Sequence, residues 1–244
     1  MPPRAVSSLV QVDLEILYED GPCFAVLKPH GVATQAPPGI DSMESRVKRF
    51  LKQRDAKAGN VYLGIPHRLD RAVSGVLLFA LPSRAARRIS RQFEDRLVQK
   101  TYWACVGGQV SPGEGTWIDH LKKVYGVPRA EVVAADDPDG RKAVLHYRVL
   151  GAFPWGTWLE IRLETGRTHQ IRVQAASRGW PILGDALYGS QAIFGPPIED
   201  ERLRPIALHG RSLSFTHPMT RKSVTILAPL PALWSSLNLP SSLI

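Results

Sequence analysis

The apolar segments of this chain are short, and no regular repeat orders them. "LEILYED" and "CFAVLKP" read as two strands joined by the turn signal "DGP". "SGVLLFAL" is a continuous β-type run, and "QKTYWACVGG" is a further strand. "TWLEIRLETG" alternates, with Leu159, Ile161 and Leu163 on one face and Trp158, Glu160, Arg162 and Glu164 on the other, the pattern of a half-buried strand. "RPIALHGRSLSFTHP" and "SVTILAP" supply two more strands, while residues 116–150 predict short strands around the polar turn "AADDPDGRKA".

Helical spacing is confined to three places. In "DSMESRVKRFLKQRDA" Asp41 is the expected N-cap, with Glu44 three residues on. Ser83 is expected to cap "RAARRISRQFEDR", and "RTHQIRVQAASRGW" is expected to end at Gly179. Many strands and few helices, punctuated by 20 glycines and 20 prolines, predict an α+β fold with a mixed, mostly antiparallel sheet. They argue against regular βαβ alternation.

The bulk properties narrow the function. No apolar run approaches the roughly 20 residues of a membrane span, and "MPPRAVSSLVQVD" lacks the apolar core of a secretory signal. A cytoplasmic protein is expected. The two cysteines, Cys23 and Cys105, sit in apolar runs and are expected to be buried thiols. A net charge of +9, from 31 Lys and Arg against 22 Asp and Glu, suggests a polyanionic partner such as nucleic acid. The chain has no phosphate-binding glycine loop, no zinc-spaced Cys/His cluster and no nucleophile elbow. Any catalysis is therefore expected to need no cofactor and no metal, and to rest on ordinary side chains.

Three segments could carry such chemistry. In "HRLDRAVSG", Asp70 lies between Arg68 and Arg71 in front of a buried strand. A nearby cation would keep it ionised, as a nucleophile must be, although a surface ion pair explains the pattern as well. In "ETGRTHQIRVQ", Arg167, His169, Gln170 and Arg172 crowd the start of a helix, with His169 and Arg172 on one face. That cluster reads as a carboxylate or phosphate grip, or as a solvated basic helix start. In "KTYWACV", Tyr102 and Trp103 point to opposite faces of a strand, so one ring is core and the other is free to stack on a base.

"HRLDRAVSGVLLFA", "KTYWACVGG", "GRTHQIRVQAASRGWPILGDALYG" and "LHGRSLSFTHP", with "LKPHGVATQAPPG" near the start, resemble the RluA-type pseudouridine synthases. The likeness runs in order from about Leu17 to about Ala228. It implies a catalytic domain over residues 17–244 with a central cleft, behind an extension of residues 1–16 that leaves no room for the S4-like RNA-binding module of many relatives. The implied reaction converts uridine in ribosomal or transfer RNA to pseudouridine without a cofactor. RNA, not DNA, is the expected partner, and a monomer is the simplest expectation.

By the same resemblance Asp70 is the catalytic aspartate, Arg172 its salt-bridge partner and Tyr102 the residue that stacks on the target base. Arg68 is placed to enter the RNA stack, Leu208 to line the base pocket, and Arg167 and His169 to meet the RNA. Ala72, Val73 and Gly210 depart from the family's usual residues, Gly210 standing where alanine is common. Without an accessory module, RNA selection is expected from the basic surface, including Arg84, Arg87, Arg88 and Arg91. Two other readings use the same residues: a non-catalytic RNA-binding protein on the same scaffold, and a hydrolytic glycosidase. The glycosidase would want a second carboxylate near Asp70, where the flanks supply arginines.

Overall fold

A computed structural model of the chain describes residues 14–56, 58–237 and 239. Most of the expected extension, residues 1–13, lies outside the described residues. Ten strands form one sheet: β1 (Ile16–Asp20), β2 (Cys23–Lys28), β3 (Ser74–Ala80), β4 (Gln99–Gly107), β5 (Glu114–Lys123), β6 (Ala130–Val133), β7 (Arg141–Phe153), β8 (Gly156–Leu163), β9 (Leu208–Thr216) and β10 (Ser223–Leu227). The spatial order is β1-β2-β3-β9-β4-β8-β7-β5-β6, with β10 also paired to β9. All pairings are antiparallel except β3 with β9, so the sheet is mixed and mostly antiparallel as predicted.

The unbroken apolar run of β3 is explained by burial on both sides. Val76 and Leu78 pack on one face with Ala86 and Ile89 of α2 (Ser83–Glu94), while Leu77 and Phe79 pack on the other with Met43, Val47 and Leu51 of α1 (Met43–Arg54). A strand covered by a helix on each face has no need of a polar side, and the period of two disappears. Cys23 and Cys105 are free and fully buried, as expected.

Several local expectations are corrected. Ser42, not Asp41, caps α1: its hydroxyl accepts from Ser45 N, and Ser45 Oγ accepts from Ser42 N. Asp41 and Glu44 instead pair with Arg46 and Lys48. Pro82 occupies the cap position of α2, with Ser83 already inside the helix. The strands in residues 116–150 are not all short: β5 has 10 residues and β7 has 13. They pair with each other over eight positions, Glu114–Leu121 against Arg141–Arg148, so cross-strand contacts extend them past what local composition suggests. Trp158 is fully buried and meets Trp103 edge-on at 4.9 Å, because β8 is an interior strand whose start is covered on both faces. The third helix, α3 (Gln170–Ala176), has only 7 residues; the chain leaves it through Gly179 at φ +79°.

β9 lies between β3 and β4, and it brings chain segments distant in sequence to one cleft. It meets β3 only at Ser74–His209 and Gly75–Gly210. At that crossing Gly75 has φ +134°, and a Cβ there would lie 2.4 Å from the Gly210 carbonyl oxygen. Only glycine fits such an approach.

A candidate active-site cleft

Where β3, β4, β9 and α3 converge, a cavity of about 480 Å³ opens to solvent. Asp70 sits in its wall, on the loop ahead of β3, and that loop is pinned from behind. Thr34 Oγ1 donates to the Leu69 carbonyl at 2.9 Å and accepts from Leu69 N at 3.1 Å. The ammonium of Lys28, at the end of β2, is fully buried and donates to the carbonyls of Pro29, Arg71 and Val73 at 2.9, 3.2 and 2.6 Å. Three N–H groups meet three acceptors, so the buried polar group is satisfied. Burial pushes the Lys28 pKa down to about 7, with the Asp70 carboxylate working the other way.

Tyr102 and Trp103 face opposite sides of β4. Trp103 is buried in the core, and Tyr102 lines the cleft. Burial, and then the Asp70 charge, push the Tyr102 phenol well above its ordinary pKa, so it carries its proton at neutral pH.

The third contribution is the corner between β8 and α3. Gln170 ties it: its Oε1 accepts from Thr165 Oγ1 at 2.8 Å and Arg167 N at 3.0 Å, while its Nε2 donates to the Val144 carbonyl at 3.1 Å. His169, with φ +52°, turns the chain into the helix and lies with its Nε2 3.6 Å from Asp70 Oδ2. Its Nδ1 is 2.9 Å from the Tyr188 hydroxyl, which accepts from Ala130 N at 2.9 Å. Burial, ahead of the opposing Asp70 charge, pulls the His169 pKa below its usual value.

Arg172, one turn along, places Nη1 3.4 Å from Asp70 Oδ2. Its closer partner is Asp185: Nε donates to Oδ2 at 2.6 Å and Nη2 to Oδ1 at 2.8 Å. Burial opposes the Arg172 charge, but the hydrogen bonds and charge of Asp185, with Asp70, outweigh it and raise the pKa. The guanidinium is thus fixed from below by a buried carboxylate and offers a free edge to a half-exposed one.

The expected site residues therefore gather in one cleft. Asp70, Tyr102, Arg172, His169 and Leu208 line it, and Arg68 and Arg167 line it as exposed side chains. Arg167 Nε donates to the Lys142 carbonyl at 3.0 Å. Five cations of the lining (Arg68, Arg96, Lys100, Arg167, Arg172) face three carboxylates (Asp70, Glu94, Glu164). On α2, Arg84, Arg87 and Arg91 are exposed, while Arg88 is turned to the Pro218 carbonyl. Asp185 and Lys28 are missed by the sequence reading. Asp185 stands in the quoted "LGDALYG", but no spacing rule ties it to Arg172, and Lys28 resembles any surface lysine until its strand is buried. Among the described residues no helix is long and apolar enough to cross a membrane.

Comparisons with known proteins place the chain in a family. The family model for RNA pseudouridylate synthase matches residues 23–177. The ribosomal large subunit pseudouridine synthase D of Xanthomonas campestris is 35% identical over 227 residues, covering 90% of this chain and 67% of that protein. An uncharacterized RNA pseudouridine synthase of Synechocystis is 32% identical over 223 residues, covering 91% of this chain and 67% of its own length. The structure of human RNA pseudouridylate synthase domain containing 4 shares the fold, with a TM-score of 0.74 at 22% identity over 91% of this chain and 90% of that one. The chain belongs to the RNA pseudouridylate synthase family and is an isomerase that acts on RNA.

Proposed function

We propose that this cleft isomerises uridines of ribosomal or transfer RNA with Asp70 as its catalytic carboxylate, in a single catalytic domain spanning residues 17–244. The observation that carries the reading is the meeting of Asp70, Tyr102 and Arg172, from three distant segments, in one basic cleft of about 480 Å³. The relative in Xanthomonas campestris, named for the large ribosomal subunit, favours ribosomal RNA as the first substrate to test.

In this reading the target uridine is everted from its RNA, at a cost of a few kcal/mol of unstacking. Its uracil lies on the Tyr102 ring with Leu208 beside it, and Arg68 at the cleft mouth takes the vacated place in the stack. The C1′–N1 bond breaks, the uracil turns and a C1′–C5 bond forms; C5 gives up its proton to solvent and N1 takes one up, so no atom is gained or lost. Asp70 acts on the nucleotide at this step, with Arg172 Nη1 3.4 Å and His169 Nε2 3.6 Å from its Oδ2. Arg167 and the exposed arginines of α2 hold the backbone. The reaction is redox-neutral and asks for no cofactor.

The test is tritium release from RNA labelled with [5-³H]uridine. Asp70→Asn is expected to abolish release while RNA affinity stays within a few-fold of wild type. Substantial turnover by that variant would remove Asp70 from its assigned role. A wild-type protein that binds RNA but releases no tritium would support the non-catalytic reading.

A further inference from the structure

The cations of the cleft are not equivalent. Arg172 is held by Asp185, Arg96 lies 3.8 Å from Glu164, and Arg167 donates to the Lys142 carbonyl. Arg68 is exposed, where water serves it. Lys100 is recessed in the wall, half-buried, with its ammonium over Gly166, 3.1 Å from where a Cβ on that glycine would sit. It has no hydrogen-bond or ion-pair partner among the described residues. Burial pushes its pKa below the ordinary lysine value. Glu164, on the same wall, is drawn instead to Arg96 and to His146, the latter at 3.6 Å. His67, beside Lys100, is stacked on Phe93 at 5.0 Å and accepts from Leu78 N at 2.9 Å. It stays neutral, its pKa driven to about 3 chiefly by burial, so it neither pairs with the ammonium nor competes for an anion.

A desolvated, unpaired ammonium costs stability unless a ligand completes it. Its position says which ligand. Lys100 precedes Tyr102 by two residues on β4, and both line the same cavity, so they share a face about 7 Å apart along the strand. That is one ribose away from a base resting on Tyr102. We propose that Lys100 is a phosphate-binding residue, which receives the phosphodiester flanking the everted uridine and so draws that nucleotide, with its sugar, into the cleft. The proposal rests on the reading of the cleft as the uridine site. A lysine suits the task, being a compact point charge that turns its three N–H groups to whichever oxygen arrives.

The test uses the full chain and total RNA labelled with [5-³H]uridine, taken from cells lacking this enzyme. Lys100→Gln is expected to raise KM about tenfold, the scale of one hydrogen bond to a charged group. The salt dependence of kcat/KM should become shallower by about one released counterion. The variant should melt at the same or a higher temperature, because it loses an uncompensated charge; a residue needed only for folding would do the opposite. Lys100→Arg should keep the wild-type salt slope. Unchanged KM and slope in the Gln variant, a lower melting temperature in that variant, or the Gln slope in the Arg variant would each overturn the proposal. If the wild type releases no tritium, the uridine-site reading fails. Filter retention of the same RNA then tests Lys100 alone, through affinity and salt slope.

Discussion

Asp185→Asn removes the carboxylate that holds Arg172 and leaves the volume unchanged. The wild-type pair is buried, with the Asp185 side chain 1% and the Arg172 side chain 8% exposed. Asparagine offers one acceptor oxygen and one NH₂ group, so one of the two bonds, at 2.6 or 2.8 Å, becomes a contact between donors. Breaking a buried pair while leaving the other charge in place costs roughly 3–5 kcal/mol. At about 2–4 °C per kcal/mol for a chain of this size, the melting temperature should fall by about 6–20 °C. The freed guanidinium has Asp70 as its next acceptor, now 3.4 Å away, and should swing toward it. A displacement of about 1 Å near reacting atoms costs on the order of 10²-fold in kcat. Calorimetry and tritium release measure the two effects separately. Adding Arg172→Met to Asp185→Asn removes the orphaned charge and should restore most of the melting temperature without restoring turnover. Wild-type melting and kcat in Asp185→Asn, or a double variant no more stable than the single one, would refute this account of Arg172.

Two other consequences can be measured by urea denaturation. Gly75→Ala should cost more than about 3 kcal/mol, because its Cβ would strike the Gly210 backbone at a φ of +134°. Gly210→Ala should stay within about 1 kcal/mol of wild type, since the nearest atoms its Cβ would meet, on Tyr102, Gly75 and Leu69, lie at an ordinary contact distance of 3.6 to 3.7 Å; equal costs at the two sites would contradict the crossing geometry. Burial, with Lys100 adding to it, lowers the His67 pKa to about 3, and burial lowers that of His209 to about 4. Unfolded histidine titrates near 6.5, so below that pH the unfolded chain binds protons that the folded chain refuses. Stability should therefore fall as pH drops from about 6.5 to about 4, and His67→Gln should remove about 1.4 kcal/mol per pH unit from the slope near pH 5. An unchanged slope in that variant would show that His67 does not resist protonation.

Much of this molecule is local in origin and readable as such. The run "SGVLLFAL", buried on both sides, the alternation from Leu159 onward and the helical spacing of Val47 and Leu51 each record which sides of a segment meet the core. That information lies in neighbouring residues, because burying one face requires apolar groups at the period of the element. The opposite facing of Tyr102 and Trp103 follows in the same way. The motif segments likewise carried Asp70, Tyr102 and Arg172 into one hypothesis, and the folded chain brings the three together.

What the tertiary structure alone decided is the partner each buried charge receives. Arg172 is held by Asp185 across 13 residues and reaches Asp70 across 102, and Lys28 reaches the Val73 carbonyl across 45. Lys28 reaches Val73 because β2 pairs with β3, and Asp70 and Arg172 meet in a cleft across a sheet in which β9 lies between β3 and β4, a placement that Gly75 and Gly210 permit by letting two backbones touch. Hydrophobic periodicity specifies a surface to be buried but names no neighbour. The neighbour of a charge is set when strands distant in sequence are ordered in space, and only then do a desolvated lysine and a braced arginine acquire their chemistry.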